Sequence, residues 1–200
     1  MNLYLIRHGQ TDWNVMKKMQ GTEDIPLNEE GRTQAEACAQ ALSLIPFEAI
    51  YTSPLSRARE TAQIISAYHG QTPVIVEPGL TERDFGEGSG MTYHEFHNAY
   101  PGYPAVLPKG MEAPEQLRSR VCQAVRSCAE KHRNTSILLI SHGASINAFL
   151  YQISDGICGS GITRLKNTGI SKLSYCSVRQ QFSLLYHNLS PEEFLCSTLQ

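Results

Sequence analysis

Four side chains in this 200-residue sequence are of types that together can hold a doubly charged anion and react with it. They are Arg7 and His8 in Arg7-His8-Gly9, Arg57 in TSPLSRARETA (52–62), and His142 in SHG (141–143). A guanidinium presents a fixed fork of donors to phosphoryl oxygens, and a neutral imidazole is a good nucleophile toward phosphorus. Taken singly, each has an ordinary explanation: an arginine on a helix is usually solvated surface, and a histidine at a strand end is usually a satisfied polar residue. Their placement along the chain is what joins them. The run from Asn2 to Ile6 reads as a buried strand that stops at a charge no core could accept, so the chain must surface at Arg7.

The elements that would position these residues follow from hydrophobic period. Asn28 caps a helix carrying Ala35, Cys38, Ala39 and Leu42 on one face. AIYT (49–52) reads as a second strand, and Ser53-Pro54 as the N-cap and first residue of a helix with Leu55, Ala58, Ala62 and Ile65 inward. PVIV (73–76) is a third strand, followed by a glycine-rich loop from Leu80 to Gly90 and a short helical piece from Tyr93 to Ala99. Pro114 opens an amphipathic helix, SILLIS (136–141) has the continuous apolar character of a strand covered on both faces, and a helix follows His142-Gly143. Strands near Ile170–Val178 and Phe182–His187 complete the pattern. Alternating strands and helices predict one α/β domain over residues 1–200, a three-layer α/β/α sandwich around a mostly parallel sheet. Ligands of such folds collect beyond the carboxyl ends of the strands, where Arg7, His8, Arg57 and His142 all fall. Helices starting near Ser53 and Gly143 would add backbone N–H groups for an anion.

Composition narrows the classes. With 41% hydrophobic and 18% charged residues the chain has enough apolar material for one core, and a net charge of −2 offers no basic field for nucleic acid or an anionic membrane surface. The six cysteines are scattered without a C-x-x-C pair, which predicts reduced thiols in a cytoplasmic protein rather than a zinc site. No apolar run approaches the ~18 residues of a membrane helix. His94-x-x-His97 lacks the spacing and third ligand of a zinc motif, so no metal and no cofactor are expected.

LIRHGQTDWN (5–14), TSPLSRARETA, LTERDFGEGSGMT (80–92) and SHG, in this order, resemble the motif series of the histidine phosphatase superfamily, also called phosphoglycerate mutase-like. The resemblance implies that His8 is the nucleophile, becoming phosphohistidine, and that Arg7, Arg57 and His142 bind the phosphoryl oxygens. It implies that Glu82 is the proton donor, and that Asn14, Gln20 and Gly21 lie on a loop touching phosphate or substrate. The arginine cluster would then help to keep His8 neutral. The activity implied is metal-independent hydrolysis of small phosphorylated metabolites.

Two alternatives accompany it. Glu82-Arg83 resembles the pair of the cofactor-dependent phosphoglycerate mutases, with Arg83 meeting a substrate carboxylate. However, Tyr93 stands near the position of a lysine in those mutases and no adjacent arginine pair follows, so the second charged group is expected to be poorly held. A non-catalytic phosphate-binding protein is the alternative of another class. The stretch Gly86-Glu87-Gly88-Ser89-Gly90 replaces a Trp-Glu of the relatives, and little is expected to pin that loop until substrate arrives. Substrate contacts are expected from the loop between His97 and Glu112, and a homodimer is left open.

Overall fold

The computed structural model describes residues 1–198. Six strands form one sheet: β1 (Asn2–Arg7), β2 (Phe47–Thr52), β3 (Val74–Val76), β4 (Ser136–Ser141), β5 (Ile170–Cys176) and β6 (Gln181–Leu189). Their order across the sheet is β3-β2-β4-β1-β5-β6. The first four run parallel, while β5 and β6 add an antiparallel edge beside β1. The helices are α1 (Asp12–Val15), α2 (Glu29–Leu42), α3 (Ser56–Tyr68), α4 (Tyr93–Ala99), α5 (Pro114–Glu130), α6 (Gly143–Ile153) and α7 (Pro191–Thr198).

Strand alternation explains the three layers. Leu3 and Leu5 of β1, with Ile137 and Leu139 of β4, point into a core closed by Val121 and Val125 of α5 and Ile146 and Phe149 of α6. Tyr4 and Ile6, with Leu138 and Ile140, point the other way, onto Cys38 and Leu42 of α2, Ala58 and Ile65 of α3, and Phe194 of α7. A strand covered on both faces needs apolar residues at every position, which is why β1 and β4 read as unbroken runs. Register then sets where the runs end. Arg7 pairs with Ser141 and Thr52 with Ile140, so β1, β2 and β4 finish level at one edge of the sheet.

Two local expectations are corrected. Helix α3 begins at Ser56, not at Pro54 with Ser53 as its cap; Leu55 takes the cap position and there is no side-chain cap. The backbone N–H of Ser56 instead donates to Asp24 Oδ1 at 2.7 Å, an acceptor 32 residues upstream. The glycine-rich loop is also not loose. Gly86 lies at φ +53°, and a Cβ there would come within 2.2 Å of the Lys109 carbonyl oxygen, so its glycine serves close packing. Glu87 N–H donates to that same carbonyl, and Gly90 N–H to Met19. Helices α1 and α7, four and eight residues long, carry too few periodic positions to stand out in the sequence.

Candidate active site

His8 leaves the end of β1 and is almost fully buried. Its backbone N–H continues the β1–β4 ladder to Ser141 O at 3.0 Å. Its Nδ1 lies 2.7 Å from the carbonyl oxygen of Gly9, an atom that can only accept, so Nδ1 carries the proton and Nε2 keeps the lone pair. Burial first, then the charges of Arg57 and Arg7, hold the imidazole well below its ordinary pKa. The outcome is a neutral ring at pH 7 with its nucleophilic nitrogen defined. The arginine effect expected from sequence is present, but desolvation outweighs it.

A cavity of about 640 Å³ opens over His8, lined also by Arg7, Arg57, Glu82, Arg83, Asn14 and Gln20. Arg7 spends one NH1 hydrogen on Leu165 O at 2.8 Å, while its buried Nε has no partner. Arg57, fully buried, donates to Glu23 O (2.6 Å), Gly21 O (2.9 Å) and His142 Nδ1 (3.2 Å). Three of its five N–H groups are thereby fixed and two remain. Burial pushes its pKa down to about 10, which leaves it cationic at neutral pH. Gln20 presents a buried, unpartnered Oε1. Asn14 accepts from Thr11 and from Asn167, whose Nδ2 also donates to His8 O at 3.0 Å.

Glu82 is held from several directions. Its Oε1 accepts from Arg83 N (2.9 Å) and Ser145 N (3.1 Å), and its Oε2 from Ala144 N (3.1 Å), while Ser145 Oγ, whose single hydrogen lies on Thr81 O at 2.7 Å, stands 3.2 Å from Oε1. The carboxyl is therefore in place before any substrate arrives, contrary to the expectation of a loose loop. The other two carboxylates of the loop, Asp84 and Glu87, are held elsewhere. Asp84 accepts from Gly86 N–H and Glu87 from Tyr100 Oη, and neither lines the cavity.

The N-terminus of α6 is thus occupied by Glu82, and that of α3 by Asp24. Neither is left as the anion site the sequence led us to expect, so a phosphoryl group must rely on side-chain donors. His142 departs from expectation too. It is fully buried behind His8, ring centroids 5.1 Å apart, and does not line the cavity. Its Nδ1 accepts from Arg57, so its Nε2–H donates to Ser53 Oγ at 2.7 Å. Burial, followed by Arg57, holds this ring well below its ordinary pKa as well. Gly21 also lies off the cavity wall, where its carbonyl anchors Arg57.

The cavity's outer half is more cationic than sequence reasoning allowed. Lys17, Lys18 and Arg164 line it together with Arg83. Arg83 donates from Nε to Glu112 O and from NH1 to Tyr103 Oη, while its buried NH2 has no partner. Of the loop between His97 and Glu112, only Tyr103 reaches the wall; the segment from Ser160 to Leu165 contributes more. Ser53, Asn167, Lys17, Lys18 and Arg164 were missed because none sits in a chemically distinctive local pattern. His94 pairs with Asn98 and His97 packs on Phe96. Among the described residues, no group of three or more His, Cys, Asp or Glu side chains is arranged to hold a metal ion. No helix among them is long and apolar enough to cross a membrane.

Two buried neutral histidines make stability depend on pH. Below about pH 6.5 the unfolded chain binds protons that folded His8 and His142 refuse, so stability falls as pH drops. Each ring contributes a slope of up to about 1.4 kcal/mol per pH unit, beginning near pH 6.5 and continuing down to its folded pKa. Urea unfolding at pH 7.5, 6.5 and 5.5 should show this loss, and His142→Gln should flatten it. Equal stability at the three values would contradict buried, neutral rings.

Comparison with known proteins gives matches over most of the chain. The profile of the histidine phosphatase superfamily (branch 1) matches residues 3–188. The chain is similar to the uncharacterized phosphatase PhoE of Bacillus subtilis (strain 168), 37% identical over 173 residues that cover 86% of each chain. It is also similar to the metal-independent phosphoserine phosphatase of Arabidopsis thaliana, 31% identical over 179 residues covering 84% of this chain and 74% of that one. Among solved structures, the phosphoserine phosphatase of Entamoeba histolytica in complex with 3-phosphoglyceric acid aligns with a TM-score of 0.80 at 28% identity, over 94% of this chain and 96% of the other. Phosphoglycerate mutases occur among the relatives as well.

Proposed function

Since the chain belongs to the histidine phosphatase superfamily, branch 1, we propose that it is a metal-independent phosphomonoesterase of small phosphorylated metabolites, working through phosphohistidine on His8. The observation that carries this reading is the fixed tautomer of His8, with its free nitrogen in the cavity that Arg7, Arg57 and Glu82 also line. Nε2 attacks phosphorus as the ester P–O bond breaks, and Glu82 gives its proton to the departing alkoxide. Water then attacks phosphorus, the P–N bond breaks, Glu82 takes the proton back, and inorganic phosphate leaves. Arg7 Nε and the two remaining N–H groups of Arg57 supply the charge on the equatorial oxygens that a metal supplies elsewhere. His142 acts behind them, fixing the Arg57 guanidinium from one side. Free thiols at all six cysteines support a reducing, cytoplasmic setting.

The substrate class follows from the outer cations. Arg83, Arg164, Lys17 and Lys18 favour a phosphomonoester that carries a second anionic group, and Asn14 and Gln20 supply polar contacts between the two ends. The same cations keep the mutase reading in play, since a bisphosphate needs both ends held. The non-catalytic reading has less support, because a pure phosphate binder needs neither a poised nucleophile nor a positioned carboxyl.

One assay separates these readings. With excess chelator present, the protein should release inorganic phosphate from 3-phosphoglycerate with a higher kcat/KM than from glycerol 3-phosphate, whose leaving group is uncharged. With 2,3-bisphosphoglycerate as primer, phosphate should exceed 2-phosphoglycerate. Loss of activity in chelator with recovery on added metal would overturn the mechanism. Isomerisation outrunning phosphate release would make the protein a mutase, and no turnover of any phosphomonoester would favour the binding module.

A further inference from the structure

We propose that Arg120 of α5, paired with Glu112, is a positioning residue that sets the place of the Glu82 carboxyl from behind. The proposal rests on the reading of Glu82 as the proton donor. Arg120 makes contacts from all five of its N–H groups. Its Nε donates to Glu112 Oε1 at 2.9 Å and its NH2 to Glu112 Oε2 at 2.8 Å, a two-pronged ion pair. Its NH1 donates to Gly79 O at 3.0 Å and Thr81 O at 2.9 Å, and NH2 also reaches Glu82 O at 3.5 Å. A guanidinium has five N–H donors, so none is left for substrate or solvent.

Glu112 adds to the hold through its own main chain. Its N–H donates to Asp84 O at 2.8 Å, and its carbonyl accepts Arg83 Nε at 2.9 Å. Residues 79, 81, 82, 83 and 84 are all therefore tied to this one ion pair. On that side the loop borders a hollow of about 450 Å³ lined by Thr81, Glu82, Asp84, Met111, Gln116 and Arg120. The carboxyl end of Glu82 is fixed by α6, and the main chain that carries it by α5. Arg120 itself does not line the reaction cavity. Its effect on chemistry must pass through Glu82, and the displacement of a proton donor by about 1 Å can cost on the order of 100-fold.

The test compares kcat/KM for p-nitrophenyl phosphate, whose phenolate leaves unaided, with that for 3-phosphoglycerate, whose alkoxide needs a proton. Arg120→Met keeps the length and removes the fork. It should lower kcat/KM for 3-phosphoglycerate roughly 10- to 100-fold and that for p-nitrophenyl phosphate less than about 3-fold. Competitive inhibition by inorganic phosphate should not change. Arg120→Lys should recover only part of the loss, because it restores charge without the two-pronged geometry. Where Arg120→Met fails to fold, Glu112→Gln, which leaves Arg120 in place with a weakened partner, should show the same selectivity in smaller measure. The double variant Arg120→Met/Glu82→Gln should be no slower on 3-phosphoglycerate than Glu82→Gln alone, since both changes act on one proton transfer. Equal losses on both substrates, or additive losses in the double variant, would overturn the positioning role. If Glu82→Gln alone failed to distinguish the substrates, the reading of Glu82 as the acid would fall first.

Discussion

His8→Ala should abolish turnover of every phosphomonoester, p-nitrophenyl phosphate included, with an expected loss of at least about 10⁴-fold in kcat. A good leaving group cannot rescue this variant, because the nucleophile is needed however readily the ester bond breaks. The wild-type protein, mixed with substrate and quenched within milliseconds, should carry one phosphoryl group that is stable to base and released by acid, located on His8 by peptide mass spectrometry. His8→Ala should show none. Residual turnover within tenfold of the wild type, or a phosphoryl group on another residue, would remove His8 from its role. The tautomer makes a finer statement. Because Gly9 O holds Nδ1–H, phosphorylation should fall on Nε2 alone. Phosphorus NMR of the trapped intermediate distinguishes the two nitrogens.

Replacing Glu82 by Gln is expected to split the two half-reactions. With 3-phosphoglycerate, kcat/KM should fall about 10²- to 10⁴-fold, the range that a general acid contributes. With p-nitrophenyl phosphate, kcat/KM should change less than about tenfold, because that ratio reports only the steps through release of the phenolate. Turnover is another matter, since in the proposed mechanism Glu82 also takes the proton of the attacking water. The variant should therefore give a burst of p-nitrophenolate equal to the enzyme concentration, followed by slow hydrolysis of phosphohistidine. Oε1 accepts from two backbone N–H groups and Oε2 from one, so the amide oxygen should take the Oε1 place. Its NH₂ group then faces Ala144 N–H, a mismatch worth about 1–3 kcal/mol that a lowered Tm should reveal. Equal losses in kcat/KM for the two substrates would exclude Glu82 as the acid. Asp84 and Glu87, which do not line the cavity, would then require the loop to rearrange.

Both predictions start from residues that the sequence displayed openly. The strand run ending at Arg7-His8 and the apolar stretch ending at His142 were legible because burial on both faces of a sheet demands unbroken apolar residues, and Arg57, the second residue of α3, because it follows the second strand run. The first charged or imidazole residue after such a run marks the sheet edge, and the motif order suggested the role proposed for Glu82. What each of these side chains is bonded to was not legible. Hydrogen-bond partners lie far apart in the chain: Arg57 reaches back to Gly21 and Glu23, Ser56 to Asp24, Glu82 forward to Ala144 and Ser145, and Arg120 back to Gly79 and Thr81. Only the level ends of β1, β2 and β4, and the packing of α5 and α6 on one face, bring them together. By itself, then, the sequence determined the layers of the fold and the sheet edge at which Arg7, His8 and Arg57 gather, since these follow from local period and residue type, while the proposed nucleophile and acid came from the resemblance of its motifs to the family's. Tertiary structure alone decided that both helix N-termini are taken by carboxylates, that His142 stands behind Arg57 and that four cations surround the outer cavity. Each of those depends on which donor finds which acceptor across space, and no spacing along the chain records it.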